Sequence, residues 1–148
     1  MPARKRLPPL VRYNAPMPDY IYHLAPSGLW ADALARRETY YPETYEDDGF
    51  THGTSDTALL LDVANHFYRK SKGDWICLAM TEESLSQTGV EVRFEPPAAV
   101  GDVDGKIEGS EAVLFPHLYG GIHPDAVVET LDVLRGPLGQ FMSIGPGR

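Results

Sequence analysis

The chain has 148 residues, 43% of them hydrophobic, which is enough for one domain that buries its own core without disulfides or metals. Its 21 acidic residues outnumber 13 basic ones, and the net charge of -8 would repel a polyphosphate backbone, so we expect a small-molecule ligand rather than nucleic acid. No apolar run approaches the roughly 20 residues that cross a bilayer, so no membrane association is expected.

Residues 1–18 differ in composition from the rest of the chain. They are rich in proline and basic residues without a hydrophobic period, which predicts a flexible tail before a single domain over residues 19–148. The basic start leads into Leu7-Pro-Pro-Leu10 instead of an apolar segment, so it is not a secretory signal. The single cysteine, Cys77, excludes an internal disulfide and favours a reducing compartment, so we expect the cytoplasm.

The domain is predicted to begin with a strand and a helix. Tyr20–Leu24 is aromatic and β-branched, as strands are. A helix over about residues 28–38 follows, because apolar residues recur there at helical spacing. Ser27 is predicted to cap this helix, and Trp30 and Leu34 to face the core.

A second strand and helix are predicted after an acidic, aromatic stretch. The strand covers Phe50–Thr54. Thr54 or Ser55 then caps a helix that runs to about Lys70. One apolar stripe of this helix is predicted to face the core, formed by Leu60, Ala64 and Phe67.

The middle of the chain predicts a buried strand, a turn and a half-exposed strand. Trp75–Met80 is continuously apolar, as a central strand is. Thr81–Leu85 has the pattern of a capped single turn. Val90–Phe94 alternates between apolar and charged residues, which indicates a strand with one face in water.

Beyond that strand, residues 98–111 are glycine-rich and acidic, which predicts a polar loop. Pro124–Val128 can start a short helix. Val127–Leu134 favours a strand before a Gly-Pro turn, and Phe141–Ile144 predicts a last strand. Strands and helices in this order indicate an α+β domain.

Three of the five histidines follow strand-like segments or turns, where active-site groups are commonly displayed. They are His23, His52 and His117, which we take as candidate catalytic residues. Taken singly, each is also compatible with a structural role. His66 lies on a helix beside an aromatic residue, and His123 precedes a proline, so both are interpreted as structural.

The segment Phe115–Gly121 predicts one wall of a pocket. If its backbone is extended, His117 and Tyr119 project to the same side, and Gly120 allows a ligand to approach closely. Tyr119 is therefore added to the candidate catalytic residues. The alternative is an aromatic turn between strands.

The segment His52–Ser55 predicts ligand contacts from Gly53, Thr54 and Ser55. It places an imidazole, a glycine and two hydroxyls at the mouth of a predicted helix. Free backbone N–H groups at such a point favour an anion. The alternative is that Thr54 or Ser55 is only a helix cap.

Two other kinds of site are weighed against this one. A Ser/His/Asp triad could be drawn through Ser55, but the G-x-S-x-G motif is missing. Three histidines brought together could hold zinc, although the chain lacks an H-x-x-x-H or H-E-x-x-H motif. We therefore expect a site without a metal, while a metal-assisted hydrolase remains an alternative.

Several segments together resemble a known family, the domain of unknown function 952. The resemblance covers roughly residues 20–144, and its most specific parts are those around His52 and His117. That family's structures are similar to the ADP-ribosyltransferase fold, which implies a split antiparallel sheet with a few flanking helices and a nicotinamide-nucleotide cleft. The segments that carry the resemblance are Ile21-Tyr-His23, Trp30, Gly49-Phe-Thr-His52, Val63–Tyr68, Arg93-Phe-Glu95 and Phe115–Gly120.

The resemblance also implies roles for particular residues. His23 matches a strand-borne histidine that holds a ribose, and Phe50–Thr54 matches the second motif. At the third motif His117 and Tyr119 stand in place of a glutamate, and Glu95 is the candidate carboxylate. NAD is therefore a candidate cofactor.

The sequence as a whole predicts a small-molecule-binding domain with a histidine-lined cleft, related to NAD or nucleotides through ADP-ribosyl transfer or glycohydrolysis. In the enzyme hypothesis His23 orients a ribose, His52 or His117 is the general acid or base, and Tyr119 stacks on the ligand or hydrogen-bonds to it. A non-catalytic regulatory module is the rival hypothesis. The remaining ligand contacts are expected from Gly53, Thr54, Ser55, Glu95 and Gly120.

Overall fold

A computed structural model of the chain describes residues 19–98 and 113–146, and it shows an α+β architecture with two antiparallel sheets. The predicted tail over residues 1–18 and most of the predicted loop over residues 98–111 lie outside the described residues. The larger sheet has the strand order β1-β3-β6-β7, with bounds Ile21–Pro26, Trp75–Met80, Glu129–Arg135 and Phe141–Pro146. The smaller has the order β2-β5-β4, with bounds Thr51–His52, Phe115–Tyr119 and Glu91–Glu95.

The helices of the described residues connect these strands. They are α1 (Ser27–Arg36), α2 (Tyr45–Asp48), α3 (Thr57–Phe67), α4 (Glu82–Gln87) and a 3-10 turn over Pro124–Ala126. In this part of the chain, no helix is both long and apolar enough to span a bilayer. His123 begins the 3-10 turn by accepting a hydrogen bond from the Asp125 backbone N–H at 3.0 Å, which confirms its structural role.

Strand β3 is the buried central strand that its sequence predicts. It pairs with β1 on one side and β6 on the other, and Cys77 to Met80 are all fully buried. Successive residues of a strand point to opposite faces of its sheet. Cys77 accordingly packs into a cluster with Leu24, Leu60 and Phe141, whereas Leu78 packs into a second cluster on the opposite face.

Helix α1 forms where predicted, but its cap and its inner face differ from the prediction. Ser27 is the first helical residue, and no side chain caps the helix at Pro26. Trp30 and Ala33 are buried. Residues three apart lie on the same side of a helix, so this side of α1 faces the core. Leu34 is one residue further around the helix and is 49% exposed, so the prediction that it faces the core is wrong.

Helix α3, by contrast, begins later than predicted and ends at Phe67, before the predicted end near Lys70. Its cap is Asp56, whose carboxylate accepts a hydrogen bond from the Ala58 backbone N–H at 2.8 Å. Thr54 is not the cap, because its backbone exchanges hydrogen bonds with Tyr22 of β1 at 2.9 and 2.7 Å and continues the extended segment. The predicted apolar stripe is present: Leu60 and Ala64 are buried and Phe67 is half-buried.

The segment after β3 and the smaller sheet were only partly predicted. Thr81 and Ser84 form a reciprocal capping box, and the predicted single turn extends into helix α4. Strand β4 lies at the edge of the smaller sheet, where Phe94 is 46% exposed. Strand β5 is the middle strand of that sheet, so the alternative of an aromatic turn at Phe115–Tyr119 is wrong.

Candidate functional site

Two of the predicted histidines meet across the smaller sheet. His52 on β2 and His117 on β5 are register partners, and their rings lie perpendicular with centroids 5.7 Å apart. Both line a cavity of about 30 Å³ together with Gly53, Thr54 and Tyr68. A cavity of this size admits about one or two water molecules or one small functional group.

His117 is held by a carboxylate that it shares with Tyr119. His117 Nδ1 donates to Glu95 Oε1 at 2.7 Å, and the Tyr119 hydroxyl donates to the same oxygen at 2.6 Å. Both hydrogen bonds lower the pKa of the Glu95 carboxyl, and the bond from Tyr119 has the larger effect. Glu95 is therefore ionised and accepts both bonds. With Nδ1–H bonded to Glu95, the second ring nitrogen, Nε2, is the one left to accept a proton in the neutral form of the imidazole.

The aromatic ring of Phe50 fixes the relative positions of these groups. It stacks on His117 with centroids 4.0 Å apart and an interplanar angle of 20°, and it contacts His52 at 4.7 Å and Tyr119 at 5.6 Å. The Arg93 guanidinium, on β4, lies 4.4 Å from the centroid of the Tyr119 ring. The sequence included Phe50 as part of a strand and of the second motif of the family resemblance, but it gave no indication of this contact.

His52 is held by a second carboxylate, that of Asp48. His52 Nε2 donates to Asp48 Oδ2 at 2.8 Å, and the side chains are only 16% and 7% exposed. Helix α2 and the turn at Gly49, with φ of 85°, bring Asp48 back over the strand. Burial lowers the pKa of His52. The hydrogen bond and charge of Asp48 oppose this shift, and the nearby His117 adds to it. The net shift is downward, so His52 is neutral at neutral pH. Sequence analysis missed Asp48, whose only signal is its position four residues before His52.

His23 supports the site from behind and does not line the cavity. Its Nδ1 donates to the backbone carbonyl of His52 at 2.6 Å, which ties β1 to β2. The residue is 4% exposed, and burial lowers its pKa to about 4. Within the described part of the chain, His23 Nε2 has no hydrogen-bond partner. The structure therefore brings together His52, His117 and Tyr119, and attaches His23 through the backbone.

The other predicted ligand contacts divide into two groups. Gly53 and Thr54 line the cavity, but their N–H groups donate to the carbonyls of Pro116 at 3.0 Å and Tyr22 at 2.9 Å. The prediction of free N–H groups at this point is therefore wrong, and the Asp56 carboxylate already caps the helix. Ser55 is exposed and does not line the cavity.

Gly120 serves packing at the end of β5. Its carbonyl accepts a hydrogen bond from the Thr51 hydroxyl at 2.7 Å. A Cβ at this position would lie 3.0 Å from Val90 Cγ2, so a side chain would press on the core. The close approach that the glycine permits is to Val90 rather than to the cavity.

The same geometry bears on the metal alternative. Across residues 19–98 and 113–146, no three His, Cys, Asp or Glu side chains are arranged to hold a metal ion. One nitrogen of each candidate histidine is already bonded to a carbonyl or a carboxylate oxygen. The arrangement is suited to hydrogen bonding and proton transfer.

Comparisons with known proteins place this site in a family context. The family described as "Protein of unknown function (DUF952)" matches residues 24–130. The crystal structure of Protein CC0527 from Caulobacter crescentus is similar, with a TM-score of 0.60 and 19% identity over 83% of this chain and 93% of that chain. A double mutant of the same Caulobacter protein gives a TM-score of 0.59 at the same identity. No curated protein matches this chain at a significant level.

Proposed function

Because the chain belongs to the DUF952 family of proteins of unknown function, we propose a function from its own site: it binds a small polar molecule in the cavity between His52 and His117. The observation that carries this proposal is the pair of imidazoles on partner strands, each bonded to its own carboxylate and both lining one cavity. Imidazoles held in this way are oriented for hydrogen bonding and proton exchange with a ligand.

In the catalytic form of the proposal, His117 is the general base. Glu95 holds its Nδ1–H, so Nε2 is left to accept a proton from a bound group. The carboxylate then stabilises the imidazolium that forms. Neutral His52 is placed to hydrogen-bond the same group from the facing strand. Tyr119 holds Glu95 in position from the other side.

The charges around the cavity indicate which part of a ligand enters it. Asp48 and Glu95 stand behind the two histidines, and neither Lys nor Arg is among the described residues that line the cavity. A phosphate there would lie near two carboxylates, of which Glu95 is partly balanced by Arg93, and this disfavours it. A neutral or positively charged group with a hydrogen-bond donor fits better than the anion that the sequence suggested.

Among nucleotide ligands, these charges favour NAD through its cationic nicotinamide end. The proposed chemistry is ADP-ribosyl transfer or glycohydrolysis, in which Glu95 stabilises an oxocarbenium-like state. The likeness to the ADP-ribosyltransferase fold belongs to this proposal and is supported by the split into two antiparallel sheets. With a volume of about 30 Å³, the cavity would take only one functional group of the cofactor.

A non-catalytic binding module is the second candidate. It is favoured by the number of hydrogen bonds already made within the site, since His23, His52, His117 and Tyr119 each have a protein partner. Such a module would bind the same ligand and leave it intact. Product formation is therefore what distinguishes the two candidates.

Binding is tested by thermal unfolding of the full chain with NAD, nicotinamide and ADP-ribose. We expect NAD and nicotinamide to stabilise the protein and ADP-ribose to do so less, with about 2.7 kcal/mol at a ligand concentration 100 times its dissociation constant. His117→Ala should weaken binding by about 1–3 kcal/mol, because it leaves polar groups of the site unmatched. His66→Ala, on the exposed side of α3, is the control. Equal affinity in both variants would remove His117 from the site.

Turnover is tested separately by following release of nicotinamide from NAD. If the domain is an enzyme, Glu95→Gln should abolish release while NAD still binds. If the wild-type protein binds NAD and releases nothing, the non-catalytic module is correct. Absence of stabilisation by any of the three compounds would refute the NAD proposal.

A further inference from the structure

A second hollow opens beside the start of β1, and it shares no lining residue with the cavity at His52 and His117. Its volume is about 350 Å³, more than ten times that of the histidine cavity. It lies where β1, the segment after β2, the start of α4 and the edge strand β4 meet. The side chains that define it are Asp19, Tyr20, Tyr22, Ser55, Glu82 and Phe94.

Three of the seven residues that line the hollow, which also include Ile21, are aromatic. The rings of Tyr20 and Tyr22 have centroids 6.0 Å apart and are inclined at 58°, so they present two faces at an angle. Phe94 lines the hollow from β4 and is 46% exposed, so its ring is accessible to a ligand. Aromatic faces carry negative potential and attract cations.

The charged side chains of the hollow have one sign. Asp19 and Glu82 are both exposed carboxylates, and no Lys, Arg or His is among the described residues that line it. The electrostatics of Tyr22 agree with this. Burial raises the pKa of its hydroxyl, the neighbouring Cys77 and Tyr20 side chains raise it further, and the carboxylates of Glu129 and Asp56 add smaller contributions in the same direction.

We propose that this hollow binds a quaternary ammonium group, such as the trimethylammonium head of a choline-like metabolite or of a methylated lysine. Aromatic faces attract a cation, and the two carboxylates balance its charge. A trimethylammonium has no N–H to satisfy and carries its charge on methyl groups, so an aromatic wall can replace part of its hydration shell. A primary ammonium would lose hydrogen bonds to water and would need the Asp19 and Glu82 carboxylates to replace them, whereas a trimethylammonium needs no such replacement.

The test is calorimetric titration of the full chain with choline and with its neutral isostere, in which a tert-butyl group replaces the trimethylammonium. We expect choline to bind and the isostere to bind at least about fivefold more weakly, since cation–π attraction and charge balance are lost. A trimethyllysine peptide and the same peptide with unmodified lysine distinguish the two sources. Tighter binding of the methylated peptide than of choline would point to a protein partner.

Substitutions then locate the site. Phe94→Leu keeps an apolar side chain on an exposed strand and removes the ring, and it should weaken choline binding about two- to fivefold. Glu82→Gln should weaken it by a similar factor, whereas Glu83→Gln, its neighbour on α4 outside the hollow, should not. Equal binding of choline and the isostere, or no effect of Phe94→Leu and Glu82→Gln, would overturn the proposal. His117→Ala should leave choline binding unchanged, so this result is independent of the histidine cavity.

Discussion

His23 illustrates how its surroundings decide what a single side chain can do. The sequence placed it on a strand and suggested contact with a ligand. The structure buries it, gives its Nδ1 the His52 carbonyl as acceptor and lowers its pKa to about 4. Because His23 stays neutral and shielded from solvent, it positions β2 and does not transfer protons at neutral pH.

The burial of His23 makes stability depend on pH. Its pKa is about 4 in the folded state and 6.5 in an unfolded chain, so between these values the unfolded state binds the additional proton. Its contribution is complete above pH 6.5 and is lost as the pH falls towards 4, by up to about 3 kcal/mol. Urea unfolding across this range should show a smaller loss in His23→Asn than in the wild type.

The control for this measurement is His66→Asn, because His66 is an exposed histidine on α3. It should keep the wild-type dependence of the unfolding free energy on pH. If His23→Asn and the wild type lose the same free energy between pH 6.5 and 4, the folded protein does not hold His23 neutral.

Carboxylate partners were the least predictable residues of the site. The three histidines were candidates because they follow strand-like segments or turns. Asp48 and Glu95 are two among 21 acidic residues, and only the fold shows that they contact ring nitrogens. Glu95 was named through the family resemblance alone. The number of residues between Glu95 and His117 does not show that β4 and β5 pair, because the loop between two strands can have many lengths.

At the level of elements, the site depends on how closely β2 approaches β5. Gly53 makes this approach possible: a Cβ there would lie 2.8 Å from the Pro116 carbonyl oxygen, 3.0 Å from Ile21 Cγ2 and 3.1 Å from Leu118 Cδ1. Two of these neighbours are side chains of the buried core, and the third is the backbone that accepts the Gly53 N–H. The position therefore has little room for a side chain.

We predict that Gly53→Ala destabilises the protein by about 1–3 kcal/mol, the usual cost of forcing a methyl group into a filled core. It should also separate the His52 and His117 rings and weaken ligand binding. Gly28→Ala on α1 is the matched control, because nothing lies within 4 Å of its added Cβ. That variant should gain about 0.4–1 kcal/mol from reduced freedom of the unfolded chain. Denaturant midpoints measure both, and a neutral Gly53→Ala would contradict the prediction.

Elements with a strong hydrophobic pattern were predicted well. Strand β3 is a continuous apolar run, and α3 has a stripe at helical spacing, so both appear at the expected places. Helix ends were predicted less well, because several consecutive polar residues can each serve as a cap. Asp56 rather than Thr54 caps α3, because the backbone of Thr54 pairs with Tyr22 instead. This pairing joins distant parts of the chain.

One connection between elements could not be inferred from the sequence at all. Arg135 at the end of β6 donates to the carbonyls of Gly73 at 3.0 Å, Ser71 at 2.9 Å and Gly139 at 2.8 Å, and its guanidinium lies over the Phe141 ring at 4.3 Å. It joins the segment after α3 to the β6–β7 turn. An arginine beside a turn usually indicates only a solvated surface.

At the scale of the whole molecule, the two sheets have different roles. The larger sheet carries both hydrophobic clusters through β3, whereas the smaller carries His52, His117, Tyr119 and Glu95. Two contacts join the sheets at the site, the Tyr22–Thr54 bridge and the bond from His23 to the His52 carbonyl. The α+β class was predictable from the sequence of elements. The resemblance implied that the sheet is split, but it did not show which strands belong to each part, because that depends on pairing between residues far apart in the chain.

The whole-molecule consequence is that neither folding nor ligand binding should require a metal ion. In the described ranges no three potential ligand side chains converge, and the candidate histidines use one ring nitrogen each for bonds within the protein. Protein purified without an affinity tag should therefore unfold at the same temperature before and after treatment with a chelator, because no metal-binding free energy is lost. Its affinity for NAD should be equally unaffected. Elemental analysis gives the metal content of the same sample. Stoichiometric zinc, or affinity that disappears with chelator and returns with added zinc, would favour the metal-assisted hydrolase over the hydrogen-bonded site.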